Sequence, residues 1–351
     1  MTQPRRYLVI SLVSALVAGG LWYSMRPAPA VPTPSVNQRY SIALDMAHNG
    51  KPGAARVLYQ QLARTDLSDT RRASLHDELP NYPSPQALKL ADADLLNPSP
   101  LVRIAAIQSI VGLVPSAQRT LLLGPLLDDS EQSVRFAAAN ALLGLSPDEQ
   151  GLYFGPLQQV IDEYERDLKT RPDDPQAQGQ LARLYLHEGQ LDDAQAALEQ
   201  VTRLDPDNLK AVVAQIELLD KRGKADQARQ LLARQLEAHP DSAYLQHALG
   251  IWLLNHGQTE YALLGLARAV ELEPDNSDYR YKLATALHDL DQLEAAQRQL
   301  EELLQRQPAN RKARVLLIRY WKEAGQLQNV QVLLAQLEQQ NPDDPALQQG
   351  L

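Results

Sequence analysis

The sequence contains no cysteine, and this absence excludes disulfide bonds, thiolate metal sites, cysteine nucleophiles and haem attached covalently through a C-x-x-C-H motif. Aromatic residues are also scarce, at 5% of 351 residues, although 44% of the chain is hydrophobic. Extended stacks of helices rich in alanine and leucine have this composition. The net charge of -9 argues against a nucleic-acid partner, because phosphates require clustered lysine and arginine.

Catalytic signatures are missing as well. The sequence has no G-x-S-x-G, G-x-x-x-x-G-K-[ST], G-x-G-x-x-G or H-E-x-x-H motif. Its histidines are scattered, and no two of them have the i, i+4 spacing that suits a metal site. Pairs of adjacent aspartates stand where turns or helix starts are predicted, and there they cap backbone amides; the pairs are Asp128-Asp129, Asp173-Asp174, Asp192-Asp193 and Asp343-Asp344. We therefore predict that the chain is not an enzyme and carries no metal or cofactor.

Proline recurs every 34 residues along the second half of the chain, at Pro206, Pro240, Pro274, Pro308 and Pro342, and Pro172 stands one interval earlier. At an average proline usage of about 5%, this spacing does not arise by chance. A unit of this size is too small to bury its own apolar face, so neighbouring units must stack on one another. The spacing therefore predicts a helical solenoid, an architecture that usually holds other molecules.

Small and apolar residues recur at fixed positions inside each unit. The first unit has Leu181 and Ala182 on its first helix, Gly189 at the turn, and Ala194 and Leu198 on its second helix. The equivalent residues of later units are Leu249, Gly250, Gly257, Ala262 and Leu266, then Leu283, Ala284, Ala296 and Leu300, with departures at Gln215, Ile318, Trp321 and Val330. This set resembles the tetratricopeptide repeat. The resemblance implies an all-α fold, a right-handed α-solenoid, with five such units over residues 175–342.

A different period, of 32 residues, runs through residues 69–147. Val102, Arg103, Ala105 and Gly112 recur as Val134, Arg135, Ala137 and Gly144, Asn97 matches Asp129, and Thr70 and Arg71 belong to a weaker earlier copy. The segment resembles HEAT-type repeats. In those repeats an acidic or amide residue in the turn and the arginine of the next helix tie neighbouring units together. We predict that both arginines are structural, the alternative being that they bind a ligand.

Three further segments complete the body of the protein. Residues 37–68 repeat the pattern of the later units in degenerate form and are predicted to form a helical hairpin. Residues 148–174 have apolar residues at intervals of 3 and 4 from Leu157 to Leu168, which predicts an amphipathic helix connecting the two arrays. Residues 343–351 form a short tail, in which Ala346 and Leu347 are predicted to cover the last exposed groove.

The amino terminus carries an uncharged run over residues 7–25, preceded by a short tail, 1–6, that contains Arg5 and Arg6. As a helix the run is about 29 Å long, close to the hydrocarbon thickness of a bilayer. Arginines before such a run remain in the cytoplasm. We therefore predict a single-pass anchor in the bacterial inner membrane, a proline-rich linker over 26–36 and a periplasmic repeat body. A cleaved signal peptide ending near Ala28-Pro29-Ala30 is the alternative.

The order of segments supports a wider resemblance. The Gly-Lys-Pro-Gly turn from Gly50 to Gly53 is followed by Tyr82-Pro83-Ser84-Pro85, then by the Val-Arg repeats and the 34-residue units. This order resembles the carboxy-terminal half of bacterial multihaem c-type cytochromes, without their haem domain. The resemblance implies a bacterial envelope setting and a possible haem-protein partner. It suggests, as an alternative function, an accessory or assembly subunit of an envelope electron-transfer complex.

In a stacked array of this kind, fixed positions of each first helix face the concave groove. The predicted partner-binding residues at these positions are Arg183, His187, Glu217, Tyr244, His247, Tyr281, His288, Arg319 and Lys322. The middle of this set is aromatic and rich in histidine, and its ends are charged. Aromatic centres with polar rims are typical of interaction hot spots, although a simply solvated face is the alternative. We predict a non-enzymatic scaffold that binds a protein or peptide in this groove.

Overall fold

Helices make up the regular secondary structure of residues 36–348, the part of the chain that the computed structural model describes, and no strand occurs in that range. The helices of the first half are α1 Val36–His48, α2 Ala54–Leu62, α3 Asp69–Glu78, α4 Pro85–Asp94, α5 Pro100–Leu113, α6 Ser116–Leu123, α7 Gln132–Leu142, α8 Pro147–Gln150 and α9 Phe154–Lys169. Short 3-10 turns lie at Leu79–Asn81, Gly124–Asp128 and Gly151–Tyr153.

The second half is a regular succession of helix pairs. Its helices are α10 Pro175–Glu188, α11 Leu191–Leu204, α12 Leu209–Lys221, α13 Ala225–Ala238, α14 Ala243–Asn255, α15 Thr259–Leu272, α16 Ser277–His288, α17 Leu293–Arg306, α18 Arg311–Glu323, α19 Leu327–Gln340 and the short α20 Pro345–Gln348. Contacts divide the chain into residues 1–39, of which only 36–39 are described, and a second unit that begins at Tyr40. The predicted repeat solenoid is therefore confirmed as an all-helical architecture over the residues described.

The predicted membrane anchor falls outside this range. Residues 7–25, the tail 1–6 and all of the linker 26–36 except Val36 precede the described residues, and residues 349–351 follow them. Between residues 36 and 348, no helix combines the length and the apolar character needed to cross a membrane.

Local sequence explains where each repeat begins. The first helix of every unit starts after a polar cap, and the caps stand 34 residues apart at Asp174, Asn208, Ser242, Asn276 and Asn310. Each cap side chain accepts a hydrogen bond from a backbone amide of the first turn, at 2.9–3.4 Å. These bonds satisfy amides that have no partner inside the helix. The period seen in the prolines is therefore also a period of helix starts.

The turn between the two helices of a unit needs a left-handed residue. Gly189, Gly223, Gly257 and Gly325 occupy it with φ between 69° and 72°, and Asp291 occupies it in the fourth unit with φ 58°. Glycine has no Cβ and adopts this conformation without steric cost, whereas aspartate adopts it less readily. The glycine punctuation recognised in the sequence thus has a backbone cause, and Asp291 is its exception.

Close helix packing is most evident in the third unit, where two glycines face each other. A Cβ on Gly250 would lie 2.6 Å from Leu266 Cγ, and a Cβ on Gly265 would lie 2.9 Å from the Gln246 carbonyl oxygen. Helices α14 and α15 can approach this closely only because neither position carries a side chain. The small residue expected at the eighth position of the unit is therefore required by packing.

Arginines connect the turns of the first array, the 32-residue repeats of residues 69–147. Arg103 donates to the carbonyl of Asn97 at 2.7 Å and to the carboxylate of Asp129 at 2.8 Å, and Arg135 binds the carboxylate of Glu163 and the carbonyl of Asp129. Both arginines therefore hold neighbouring turns together, as the sequence predicted. In the weaker earlier copy, the sequence pattern pointed to Arg71, but the arginine that pairs with a carboxylate is its neighbour Arg72, which lies 2.7 Å from Asp94. Arg71 instead lies over the Tyr40 ring.

The buried core falls into separate clusters. One runs from Ala47 to Leu218 and also includes Ala309, and another runs from Ala243 to Leu333. A smaller cluster consists of Val212, Ile216, Ala228, Leu232 and Trp252. The core is therefore thinnest around the second unit, α12 and α13. The same unit carries Gln215 in place of the expected leucine.

The first helices of the body contact the last repeats. The Gly53 amide donates to the Gln339 carbonyl at 2.7 Å, and the Asn341 side-chain amide donates to the Pro83 carbonyl at 2.8 Å. Ala309 is 5% exposed because it packs into the core cluster of the first array. The turns of the fourth and fifth units are thus covered partly by the hairpin α1–α2. The tail lies beside them, where Ala346 is buried and Leu347 is half-exposed.

Candidate functional site

A cleft of about 540 Å³ opens between the first helices of two consecutive repeats, α12 and α14. Its walls follow helical periodicity, since residues three and four apart share one face of a helix. The α12 wall comprises Val213, Ile216, Glu217, Asp220 and Lys221, and the α14 wall comprises Tyr244, His247, Ala248, Ile251, Trp252 and Asn255. The floor is apolar and the rim carries both signs of charge. A volume of this size is within the range of protein sites that bind small molecules or single side chains.

The repeat itself creates the two parallel walls. Asn208 and Ser242 cap α12 and α14 at equivalent positions, so the two helices begin in register and present the same face. The second helix of the unit, α13, leaves this face uncovered.

His247 forms an aromatic wall. Its ring stacks on Tyr279 of the next repeat, with ring centroids 4.8 Å apart. Burial lowers the pKa of His247 below its ordinary value of 6.5, and the nearby Lys282 lowers it further while Asp278 opposes the change. The imidazole is therefore predominantly neutral at pH 7. A neutral, stacked ring offers a surface for apolar or aromatic groups and does not attract anions.

Tyr244 and Glu217 face the same space. Burial raises the pKa of the Tyr244 phenol, and the negative charge of Glu217 raises it further. The hydroxyl therefore remains a hydrogen-bond donor at physiological pH. Glu217 makes no hydrogen bond or ion pair with the described residues, which leaves an exposed carboxylate available at the rim.

Trp252 closes the end of the cleft. Its ring stacks on His256 at 4.0 Å, and His256 in turn binds the Trp252 carbonyl at 2.7 Å and lies 3.3 Å from the Asp220 carboxylate. The indole Nε1 is buried and has no hydrogen-bond acceptor among the described residues. Asp220 is thus already paired, and Glu217 is the carboxylate of the rim that remains open.

The predicted site residues separate into two groups. Glu217, Tyr244 and His247 line the cleft together. Tyr281 and His288, on α16, are engaged elsewhere: the Lys312 ammonium lies 4.1 Å from the centre of the Tyr281 ring, and His288 stacks on Tyr320 at 4.0 Å and binds Glu323 at 2.7 Å.

The predicted charged ends lie further along the array. Arg183, on α10, donates to the side chain of Asn140 in the preceding array, and the side chain of His187 follows on the same helix. Arg319 is exposed on α18, and Lys322 lies on the same helix with contacts of its own. The structure therefore gathers three of the nine predicted residues into one cavity and distributes the others over neighbouring units.

Sequence reasoning missed the apolar floor. Ile216, Ile251 and Trp252 line the cleft beside the predicted polar residues. Ile251 carried a signal in the sequence, because it lies four residues from His247 on the same face of α14. An apolar residue on a repeat helix is usually buried between units, so its pattern alone does not distinguish a cleft wall from core.

A Ser-His-Asp arrangement was also missed. The His76 Nδ1 atom is 2.9 Å from Ser109 Oγ, and its Nε2 atom is 2.8 Å from the Asp94 carboxylate. The three residues come from α3, α4 and α5, and each is at most 3% exposed. The Ser109 hydroxyl donates to the His76 carbonyl at 2.8 Å. A nucleophile must be reachable by its substrate, so in this conformation the cluster acts as a buried polar network.

Within residues 36–348, no group of three or more histidine, aspartate or glutamate side chains is placed to hold a metal ion.

Comparisons with known proteins define the class. Family profiles for the tetratricopeptide repeat match residues 157–216 and 188–250, and a further such profile matches residues 277–310. The chain therefore carries tetratricopeptide repeats. The first match begins inside α9, before Pro175, so the matched segment includes part of the predicted connecting helix. No curated protein matches the sequence.

Several solved structures are similar to parts of this chain, at low sequence identity and low TM-score. YrrB, a TPR protein with an unusual peptide-binding site, is 18% identical, and the alignment covers 54% of this chain and 98% of YrrB, with a TM-score of 0.36. PilW, a type IV pilus biogenesis factor, is 21% identical over 55% of this chain and 90% of its own, with a TM-score of 0.42. MamA is 17% identical, and the alignment covers 47% of this chain and 91% of MamA, with a TM-score of 0.38.

Proposed function

We propose that the protein is a non-enzymatic, membrane-anchored scaffold that binds a protein or peptide in the cleft between α12 and α14. The observation that carries the proposal is the cleft itself, with its apolar floor, its neutral aromatic wall and its open rim carboxylate. Such a site suits an apolar side chain of an extended segment. A bound peptide would place its anchor residue against Ile216 and Trp252 and its neighbouring polar groups against Tyr244 and Glu217.

Alanine substitutions test the cleft. We expect Tyr244→Ala with His247→Ala to abolish capture of the partner in crosslinked membranes, because they remove the aromatic wall without disturbing the caps of α12 and α14. Tyr261→Ala is the matched control, since Tyr261 is 65% exposed on α15 and does not line the cleft. Helical melting should change little in the control. Capture that persists in the double variant would contradict the assignment of the cleft.

The setting is part of the same proposal. Arg5 and Arg6 before the apolar run 7–25 support a single-pass inner-membrane protein whose repeat body lies in the periplasm. Because the natural chain has no cysteine, one introduced at the exposed Asp193 reports sidedness without background. We expect a membrane-impermeant maleimide to label Asp193→Cys in intact spheroplasts. Labelling only after lysis would place the body in the cytoplasm.

The segment order that resembles multihaem cytochromes supports a second candidate, an accessory subunit of an envelope electron-transfer complex. It predicts that a haem protein copurifies with the full-length chain from membranes. A haem-stained pull-down with no band would count against it.

A further inference from the structure

Two motifs that stand out in the sequence meet the last repeats in the structure. The Gly50–Gly53 turn and the Tyr82–Pro83 turn lie against the turns of the fourth and fifth units. We call this the end contact, and its residues are Gly50, Gly53, Pro83, Pro308, Ala309, Gln339 and Asn341. The first and last helix pairs of the body are thus joined directly as well as through the chain.

The end contact is fitted closely. Gly50 has φ 56°, and a Cβ on it would lie 2.7 Å from the Pro308 carbonyl oxygen and 3.0 Å from the Ala309 amide nitrogen. Both are backbone atoms, which cannot move aside as a flexible side chain can. Asn341 is 1% exposed, and its side chain reaches the Pro83 carbonyl. A side chain at Gly50 must therefore push the two ends apart.

The hairpin side of the contact is held to the first array by a buried tyrosine pair. The Tyr82 hydroxyl donates to the Ala47 carbonyl, and the Tyr59 hydroxyl donates to the Tyr82 carbonyl, both at 2.5 Å. Burial is the main reason that the pKa of Tyr59 is raised to about 12; the hydrogen bond with Ser84 opposes this change, and the charges of Asp343 and Asp344 in the tail add to it. These two hydrogen bonds connect both turns, which together meet the last repeats.

The weakest joint of the array lies at the second unit, α12–α13. On α13 only Ala228 and Leu232 are buried. The equivalent helices α11, α15, α17 and α19 each bury four residues or more. The cleft opens at this joint, with α12 and α14 as its walls. An array built from nearest-neighbour contacts bends most easily where a neighbour interface is smallest.

We propose that the end contact sets the width of the cleft. The two larger parts of the body are connected at the second unit and again at the end contact, so neither can turn about α12–α13 while the end contact is closed. Parting the ends releases that rotation and changes the separation of α12 and α14. The consequence for partner binding rests on the proposed function, whereas the coupling of the ends to the joint does not.

Paired spin labels in the full-length chain test the coupling, because the chain has no cysteine of its own. Gln60→Cys with Asp343→Cys reports the end contact, since both residues are exposed and line the same cavity of about 500 Å³ there. Asp193→Cys with Tyr261→Cys reports the joint, since these exposed residues occupy equivalent positions in the units before and after α12–α13. Pulsed electron paramagnetic resonance then gives both distance distributions.

We expect one short, narrow distribution at the end pair in the otherwise unchanged chain. Gly50→Val should remove the short-distance peak and shift the joint pair as well. Asn341→Ala is a milder change and should produce a smaller loss of the short end-pair distance and a smaller shift of the joint pair. It serves as the test if Gly50→Val does not fold. Gly151→Val is the matched control, because Gly151 has φ 51° and open space around it, and none of the four labelled positions lies on the turn that it occupies. Both distributions should stay unchanged in that control.

Three results would overturn the proposal. One is a broad end-pair distribution in the unchanged chain, and another is an end pair that stays short in both variants. The third is an end pair that opens while the joint pair stays fixed. Partner capture separates this proposal from the previous one. If distances respond as expected while the Tyr244→Ala, His247→Ala chain still captures its partner, the coupling stands and the binding role of the cleft fails.

Discussion

Replacing the buried carboxylate of Asp94 by an amide should cost much of the stability of the first array. Asp94 is 3% exposed and accepts hydrogen bonds from Arg72 Nε at 2.7 and 2.8 Å and from His76 Nε2 at 2.8 Å. Asp94→Asn keeps the shape of the side chain and removes its charge. It also leaves a single oxygen to accept the hydrogen bonds from Arg72 and His76, which the two carboxylate oxygens now accept. The amide group would also point a donor at another donor.

The expected loss follows from these contacts. Hydrogen bonds to charged groups each contribute about 1.5–3 kcal/mol, and removing one partner of a buried ion pair typically costs about 3–5 kcal/mol. We expect Asp94→Asn to fall in the upper range, because the Arg72 side chain is 16% exposed and the His76 side chain is 0% exposed. Little water can reach these groups to replace the lost carboxylate. A loss of this size is a large part of a typical domain stability of about 5–15 kcal/mol.

Hydrogen exchange is the suitable assay, because a repeat array can open locally and a single unfolding free energy is then poorly defined. Amides of α3 and α5 should lose protection in Asp94→Asn, and amides of α16 and α17 should keep it. Asp241→Asn is the control: its ion pair with Arg268 is exposed, at 79% and 46%, and such pairs contribute about 0–1 kcal/mol. A loss below about 1 kcal/mol in Asp94→Asn, or an equal loss in the control, would refute the reasoning.

Acid should expose the same network. Burial pushes the pKa of Asp94 upward, but the hydrogen bonds from His76 and Arg72 outweigh it and hold the pKa below its ordinary value of 3.8. The unfolded chain therefore takes up the proton first as pH falls. The contribution of Asp94 is complete above about pH 3.8 and is lost as pH falls through the lower folded-state pKa. The stability of Asp94→Asn should lack this step.

The remaining predictions concern backbone positions. Gly265→Ala should cost about 1–3 kcal/mol in thermal or urea melts, because its Cβ would meet the Gln246 carbonyl at 2.9 Å. Gly179→Ala, with nothing within 4 Å, should instead gain about 0.5–1 kcal/mol; equal effects at both sites would contradict the packing argument. Asp291→Gly should stabilise the fourth unit by up to about 1 kcal/mol, because glycine adopts φ 58° more readily than aspartate. Weaker hydrogen-exchange protection of the α16 and α17 amides in this variant would contradict the prediction.

The second array was predictable because its signals are local. A cap such as Asn208, a left-handed glycine such as Gly189 and a small residue such as Ala194 act within a few residues of their position. The same residues set helix starts, turns and close packing in every unit. The helix pairs could therefore be placed from spacing alone, and the turn arginines Arg103 and Arg135 could be recognised in the same way.

The candidate site was only partly predictable. Periodicity showed that Tyr244 and His247 share a face of one helix and that Glu217 lies on its neighbour. It did not show that Tyr281 and His288 are occupied by Lys312, Tyr320 and Glu323, since those contacts cross from one repeat to the next. Nor could it show that a cleft opens beside α12, whose partner helix α13 buries only Ala228 and Leu232.

The sequence by itself therefore determined the helical repeat, its length and its turns, because each depends on residues within one or two units of each other. Only the tertiary structure decided that Gly53 meets Gln339 and that Asn341 meets Pro83, which are separated by 258 residues. It also decided that His76, Asp94 and Ser109 share a buried network. The contacts between the ends depend on how many successive helix pairs stack on one another, whereas the network depends on how α3, α4 and α5 pack together. A small rotation at each interface, invisible in any single unit, determines whether the two ends meet.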